Sequence, residues 1–79
     1  MPQLDLHGMD REITRILVCE FLKDQYRMKN YEIAIIHGIG TGILKKEVHK
    51  ILATQKIVEQ YKLDNFNNGC TLVKLKEPI

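Results

Sequence analysis

Residues 33–45 read IAIIHGIGTGILK, and this stretch decides how the chain folds. An apolar run ends at His37, glycines follow at 38, 40 and 42, and apolar residues then recur at helical spacing. The pattern predicts a buried strand, a tight loop and the N-terminus of a helix. Glycines let backbone amides approach a ligand closely, and a helix N-terminus favours anions. The stretch therefore predicts an anion-binding loop, most simply one for phosphate, with His37 beside it.

The rest of the chain supplies four more elements around this segment. Residues 4–7 alternate like a short strand, and a helix is predicted over about 10–28, with Asp10 as its N-cap. Its apolar stripe should be Ile13, Leu17 and Phe21, which are spaced by four residues, and Ile16, Val18 and Leu22 should widen it. The central segment gives a strand over 31–36 and a helix from 41 or 42 to 54. Strands over 57–63 and 71–76 follow, joined by a turn over 64–69, and the order is β-α-β-α-β-β.

The first strand-helix-strand unit places candidate polar residues together. Such units are nearly always parallel and right-handed, so the C-terminal ends of neighbouring strands meet at one sheet edge. Asp5 and His7 should then lie close to His37 and Gly38. Histidine titrates near neutral pH and can act as acid or base, while a carboxylate can orient a histidine or hold a divalent metal. Asp5 and His7 can equally form a purely structural pair, and this alternative stays open.

Composition sets limits on the class of protein. With 79 residues, the chain is expected to form one domain over 1–79. Twelve Lys and Arg against ten Asp and Glu give a net charge of +2, so only local clustering could make a basic patch. Cys19 and Cys70 lie far apart, which suits a reducing compartment, and no signal peptide or membrane-spanning run is present. We expect a cytoplasmic protein without a membrane partner.

Two motifs carry a family resemblance. LDLHG at residues 4–8 and HGIGTGILK at residues 37–45, with a helix between them, resemble the small MutS-related (Smr) domain. The resemblance covers nearly the whole chain. It implies an α/β two-layer sandwich with a mixed four-stranded sheet, similar to the C-terminal domain of translation initiation factor 3. It also implies binding to DNA or RNA, and endonuclease activity by phosphodiester hydrolysis.

The resemblance assigns roles residue by residue. The acid and histidines of the motifs become candidate catalytic residues, and the loop with its following lysine becomes the candidate phosphate-binding segment, with Lys46 added for its closeness to the loop. The need for a divalent metal stays open, with Asp5 as the residue that could hold one, and the expected partner is nucleic acid contacted through its backbone. The candidate catalytic residues are Asp5, His7 and His37; the candidate binding residues are Gly38, Gly40, Thr41, Gly42, Lys45 and Lys46.

Two departures from the family pattern keep alternatives open. Ile39 stands where a lysine or arginine is common, and the family's late glycine-rich turn is reduced to residues 67–69. Both favour a non-catalytic nucleic-acid-binding module. A protein-interaction module is the other alternative, forming a weak homodimer or attaching to a larger protein through the first helix. The loop can also be a simple turn in which Thr41 caps the helix, and His49 is expected on the surface. Phe66 could stack on bases, but it is rather expected to pack in the core or at its rim.

Overall fold

The computed structural model describes all residues from 1 to 79. Its six elements follow the predicted order, and neither helix combines the length and apolarity needed to cross a membrane. Asp10 is the N-cap of the first helix as predicted, since its side chain accepts a hydrogen bond from the amide of Ile13 at 2.9 Å. The elements are β1 (Gln3–Asp5), α1 (Arg11–Arg27), β2 (Glu32–Ile36), α2 (Ile43–Thr54), β3 (Val58–Asp64) and β4 (Asn67–Leu75).

The four strands form one mixed sheet in the order β1-β2-β4-β3. β1 and β2 are parallel, while β4 is antiparallel to both β2 and β3. Asp5 lies opposite Ile36, and the amide of Leu6 donates to the carbonyl of Ile36 at 2.7 Å. The C-terminal ends of β1 and β2 are therefore side by side, as the sequence predicted.

Both helices contribute to one apolar core against the sheet. Ten buried residues form it: Leu6, Val18, Leu22, Ile33, Ile35, Val48, Ile51, Leu52, Val73 and Leu75. The predicted stripe of α1 is confirmed at Val18 and Leu22, which are buried, and Leu17 and Phe21 pack against the core. It is wrong at Ile13 and Ile16, which are 45% and 59% exposed. The stripe also includes the buried polar residues Thr14 and Gln25, which apolar spacing alone does not mark.

The predicted turn over 64–69 is also too long. Only Asn65 and Phe66 form the turn, and β4 already begins at Asn67. The carbonyl of Gly69 accepts hydrogen bonds from the amides of His37 at 2.9 Å and Gly38 at 3.0 Å. Residues 67–69, which are typical of turns, therefore belong to β4. Their place in the strand provides the hydrogen-bond acceptor that the amides after β2 need.

Candidate functional site

An aspartate and a histidine form an exposed pair at the end of β1. The Nδ1 atom of His7 lies 2.7 Å from Oδ1 of Asp5, and the two side chains are 72% and 55% exposed. This hydrogen bond, with that from the His7 amide, lowers the pKa of Asp5, and the same side-chain bond raises the pKa of His7. Because Nδ1 donates to the carboxylate, Nε2 of His7 is left facing solvent and is free to exchange a proton.

The glycine loop that follows β2 borders this pair. Gly38 has a φ of +83°, and a Cβ built on it would lie 3.1 Å from Cβ of His7. Gly42 has a φ of +84°, so both positions need the left-handed backbone that glycine adopts without strain. The loop forms one wall of an open cleft of about 450 Å³, and the opposite wall is the start of α1. The lining consists of residues 8–11 and 37–45.

The loop side of the cleft carries a run of unused hydrogen-bond donors. The seven successive backbone amides from Ile39 to Lys45 donate no hydrogen bond within the chain. The alternative in which Thr41 caps the helix is wrong, because Gly42 is the N-cap of α2 and no side chain bonds to this helix start. The first turn holds no acidic residue, and it contains Lys45 and Lys46. The electrostatics therefore favour an anion here.

His37 is held beneath the loop rather than in the cleft opening. Only 4% of its surface is exposed, and both ring nitrogens have partners. Nδ1 lies 3.1 Å from the carbonyl oxygen of Gly38, and Nε2 lies 2.8 Å from Oγ1 of Thr71. Nε2 of His49 lies 2.7 Å from the same hydroxyl. With both rings neutral, His49 donates to Thr71, Thr71 donates to His37, and His37 donates to the carbonyl of Gly38, which satisfies every donor.

His49 was expected on the surface, and this expectation is wrong. It is half-buried, and its ring packs against Tyr61 with centroids 5.1 Å apart. Burial lowers its pKa, and the electrostatic interactions with Lys45 and with any proton on His37 lower it further. Sequence reasoning also missed Thr71, although it alternates with the core residues of β4 and so belongs on their face.

The sequence predicted that Asp5, His7 and His37 lie close together. Their backbone segments do meet, but their side chains do not all point to the same side of the sheet. Leu4 and Leu6 pack on the helix side of the sheet, so Asp5 and His7 point to its other face. His37 points to the helix side, where it meets α2. Strand alternation therefore separates the exposed acid–histidine pair from the buried imidazole, and the glycine loop lies at the edge between them.

A metal site made of protein ligands alone is absent from this edge. No group of three or more His, Cys, Asp or Glu side chains is arranged to hold a metal ion. Oδ1 of Asp5 already accepts the ring and backbone N–H groups of His7. Its second oxygen, Oδ2, remains available for one bond.

Comparison with known proteins identifies the family. The family model described as the Smr domain matches residues 4–76. The chain belongs to the Smr domain family. Both motifs that line the site, at residues 4–8 and 37–45, fall inside the matched region.

Relatives and solved structures agree with the Smr assignment. The chain is 36% identical over 77 residues to "Endonuclease MutS2" of Clostridium botulinum strain Eklund 17B, and 37% over 76 residues to that of Clostridium novyi strain NT. These matches cover 94% and 92% of the chain but only 10% of each relative.

Two crystal structures show the same fold. The Smr domain of Thermus thermophilus MutS2 superposes with a TM-score of 0.93 at 24% identity, covering 98% of this chain and 100% of that one. YdaL, a stand-alone small MutS-related protein from Escherichia coli, gives 0.91 at 23% identity, covering 95% of this chain and 64% of that one. The mixed sheet and its two helices are therefore those of an Smr domain.

Proposed function

We propose that this Smr domain binds DNA or RNA through the phosphodiester backbone, with a phosphate at the loop from Gly38 to Gly42. The seven unused amides from Ile39 to Lys45 carry this proposal, because they form an anion site that no protein group fills. Lys45 and Lys46 add positive charge in the first turn of α2. The name of the relatives, "Endonuclease MutS2", supports nucleic acid as the polyanion.

The chemistry in this proposal is phosphodiester hydrolysis by the Asp5–His7 pair. Asp5 holds Nδ1–H of His7, so that Nε2 accepts a proton from the attacking water and can then protonate the leaving oxygen. The amides of the loop stabilise the negative charge that develops at the phosphate. We assign His37 a positioning role rather than proton transfer, since its ring is buried and bonds to the carbonyl of Gly38.

A divalent cation fits this arrangement through Asp5. Mg²⁺ is commonly bound by one or two carboxylates together with phosphate oxygens and water, so Oδ2 of Asp5 and the substrate would suffice as ligands. Bound there, the cation would supply charge neutralisation at the phosphate.

The cellular setting follows from the size of the relatives and from the cysteines. The chain spans about a tenth of each curated relative that it matches, and we propose that it works attached to, or alongside, a larger protein. Cys19 and Cys70 are both free thiols, which supports a cytoplasmic location.

A cleavage assay with paired variants tests the proposal. The wild-type protein, Asp5→Asn and His7→Gln should be compared on labelled single-stranded, duplex and branched DNA and RNA, with and without EDTA. Both variants should lose cleavage by about 10²- to 10⁴-fold, the usual contribution of a general acid or base, while retaining binding. Asp24→Asn is the matched control, because Asp24 is an exposed acid paired with Arg27 at the far end of α1. Undiminished cleavage by His7→Gln would show that the pair does no chemistry.

A non-catalytic binding module is the second candidate, and Ile39 favours it. Its side chain is 81% exposed in the middle of the loop, where a cation would have contacted the nucleic-acid backbone. Salt-dependent binding by the wild-type protein without cleavage under any metal condition would select this candidate. A protein-interaction module is favoured only by Ile13 and Ile16, which are 45% and 59% exposed on α1. Concentration-dependent sedimentation without nucleic acid would support it.

A further inference from the structure

Phe66 is the largest side chain that the fold leaves in solvent. It is 98% exposed and occupies one of the two turn positions between β3 and β4, so the expectation that it packs at the core is wrong. Its amide donates to Oδ1 of Asp64 at 2.9 Å, which fixes the turn locally. No packing in the chain accounts for an aromatic ring at this position.

The turn that carries Phe66 projects from the same sheet edge as the glycine loop. β4 pairs with β2 as far as Cys70 and Ile36, and Gly69 then bonds to the amides of His37 and Gly38. The turn at Asn65 and Phe66 comes before Gly69 in the chain, and it lies on the side of Gly69 that faces away from the rest of β4. Since β3 is the second strand from β2, its end is about 10 Å from that of β2. The turn that carries Phe66 and the glycine loop therefore both lie at the end of the sheet where β2 ends.

The surroundings of Phe66 suit a nucleic-acid base better than a protein surface. Its exposed neighbours are Asn65, Asn67 and Asn68, which offer amide donors and acceptors rather than a continuous apolar patch. Protein interfaces usually need a larger buried area with an apolar centre. A single aromatic ring among amides resembles the platforms on which unpaired bases stack and hydrogen-bond at their edges.

We infer that Phe66 stacks on an unpaired base of a nucleic acid whose backbone phosphate occupies the loop from Gly38 to Gly42. The inference rests on the proposed function and deepens it, because it selects substrates with single-stranded character over fully paired duplexes. A base inside a duplex presents no free face to an aromatic side chain. The loop supplies affinity for any backbone, and Phe66 supplies the preference among structures.

Binding measurements with three variants test this inference. Wild-type protein, Phe66→Ala, Phe66→Trp and Met28→Ala should be titrated at low salt into short single-stranded DNA containing 2-aminopurine, a base whose fluorescence falls on stacking, and into its fully paired duplex. Met28 is the matched control, because it is 57% exposed at the opposite end of the molecule, at the C-cap of α1. Circular dichroism confirms that each variant is folded.

The inference predicts a loss confined to one variant and one substrate. Phe66→Ala should bind the single strand about tenfold more weakly and abolish the fluorescence change, as removal of a stacking ring does, while its duplex affinity stays unchanged. Phe66→Trp and Met28→Ala should match the wild type. Equal binding of the single strand by Phe66→Ala, or an equal loss on both substrates, would overturn the inference. A change only in sedimentation would assign Phe66 to contact with a second copy and overturn it as well. If the wild type binds neither substrate, the proposed function itself fails, and this is seen without any variant.

Discussion

One residue separates Asp5 from His7, and the chain turns tightly enough after β1 for a carboxylate oxygen to accept both the ring and the backbone N–H of His7. Because both side chains are exposed, the pair does not serve to fill the core. In the proposed mechanism, the pair fixes the tautomer of His7 and keeps Nε2 available. An exposed, oriented imidazole beside an anion-binding loop is the residue-scale basis of the proposed hydrolysis.

The pair makes a prediction about protonation. Folding lowers the pKa of Asp5 and raises that of His7. The ion pair therefore contributes fully to stability above the ordinary pKa of Asp, about 3.9, and below that of His, about 6.5. The contribution is lost as pH falls through the lowered pKa of Asp5 or rises through the raised pKa of His7. An NMR titration of the histidine rings should place His7 above His49, and Asp5→Asn should bring His7 back toward its ordinary value. His49 should not respond, and an unchanged His7 in Asp5→Asn would contradict the pairing.

The hydroxyl shared by two imidazoles makes a second prediction. Thr71→Val keeps the shape of the side chain but removes the partner of Nε2 in both His37 and His49. Leaving buried polar groups unsatisfied costs about 1–3 kcal/mol, which denaturant unfolding can measure. Thr54→Val is the control, because its hydroxyl bonds to the carbonyl of Ile51 at an exposed helix end where water can replace it. Equal stability of the wild type and Thr71→Val would show that the hydrogen bonds of Thr71 with the two histidines do not hold the glycine loop.

At the scale of elements, substitutions at Gly69 and Gly40 separate two roles of the loop region, close backbone packing and access for a ligand. A Cβ on Gly69 would lie 3.1 Å from the backbone carbon of Gly38, so Gly69→Ala must displace the loop. We expect a loss of about 1–3 kcal/mol in unfolding free energy, typical of overpacking, together with weaker binding of nucleic acid. Gly40→Ala meets nothing within 4 Å and should keep its stability. It should nevertheless weaken binding, since the new methyl group enters the proposed phosphate site, and unaltered binding would place the phosphate elsewhere.

The elements also show what the sequence can and cannot predict. The order of strands and helices, the parallel β1–β2 pair and the cap at Asp10 follow from local patterns, and all are confirmed. The buried row of α1 was predicted at Val18 and Leu22 but not at Thr14, because Thr14 is a polar residue at a fully buried position. The pairing of Gly69 with the end of β2 was missed because it is a contact between distant segments, which no local spacing encodes. The motifs identified the loop, whereas the hydrogen bonds of Thr71 with His37 and His49 could be found only in the tertiary structure.

For the whole molecule, net charge is small, so binding should depend on where the charges lie. Each lysine that neutralises a phosphate releases a counterion, and the slope of log K against log salt falls by about 0.7 for each one lost on a single strand. Lys45→Gln and Lys46→Gln should each reduce the slope by about this amount. Lys62→Gln is the control, because Lys62 is exposed on β3, away from the loop. A slope that changes equally in all three variants would indicate nonspecific charge rather than a defined site.

The central claim is that the unused amides of the glycine loop hold a backbone phosphate. The most direct measurement is a ¹H–¹⁵N NMR titration of the wild-type protein with a short single-stranded oligonucleotide at low salt. The account predicts that the largest shifts occur at the amides from Ile39 to Lys45 and that added salt reverses them. Large shifts confined to the open face of the sheet or to the outer face of α1, with these seven amides unmoved, would contradict it.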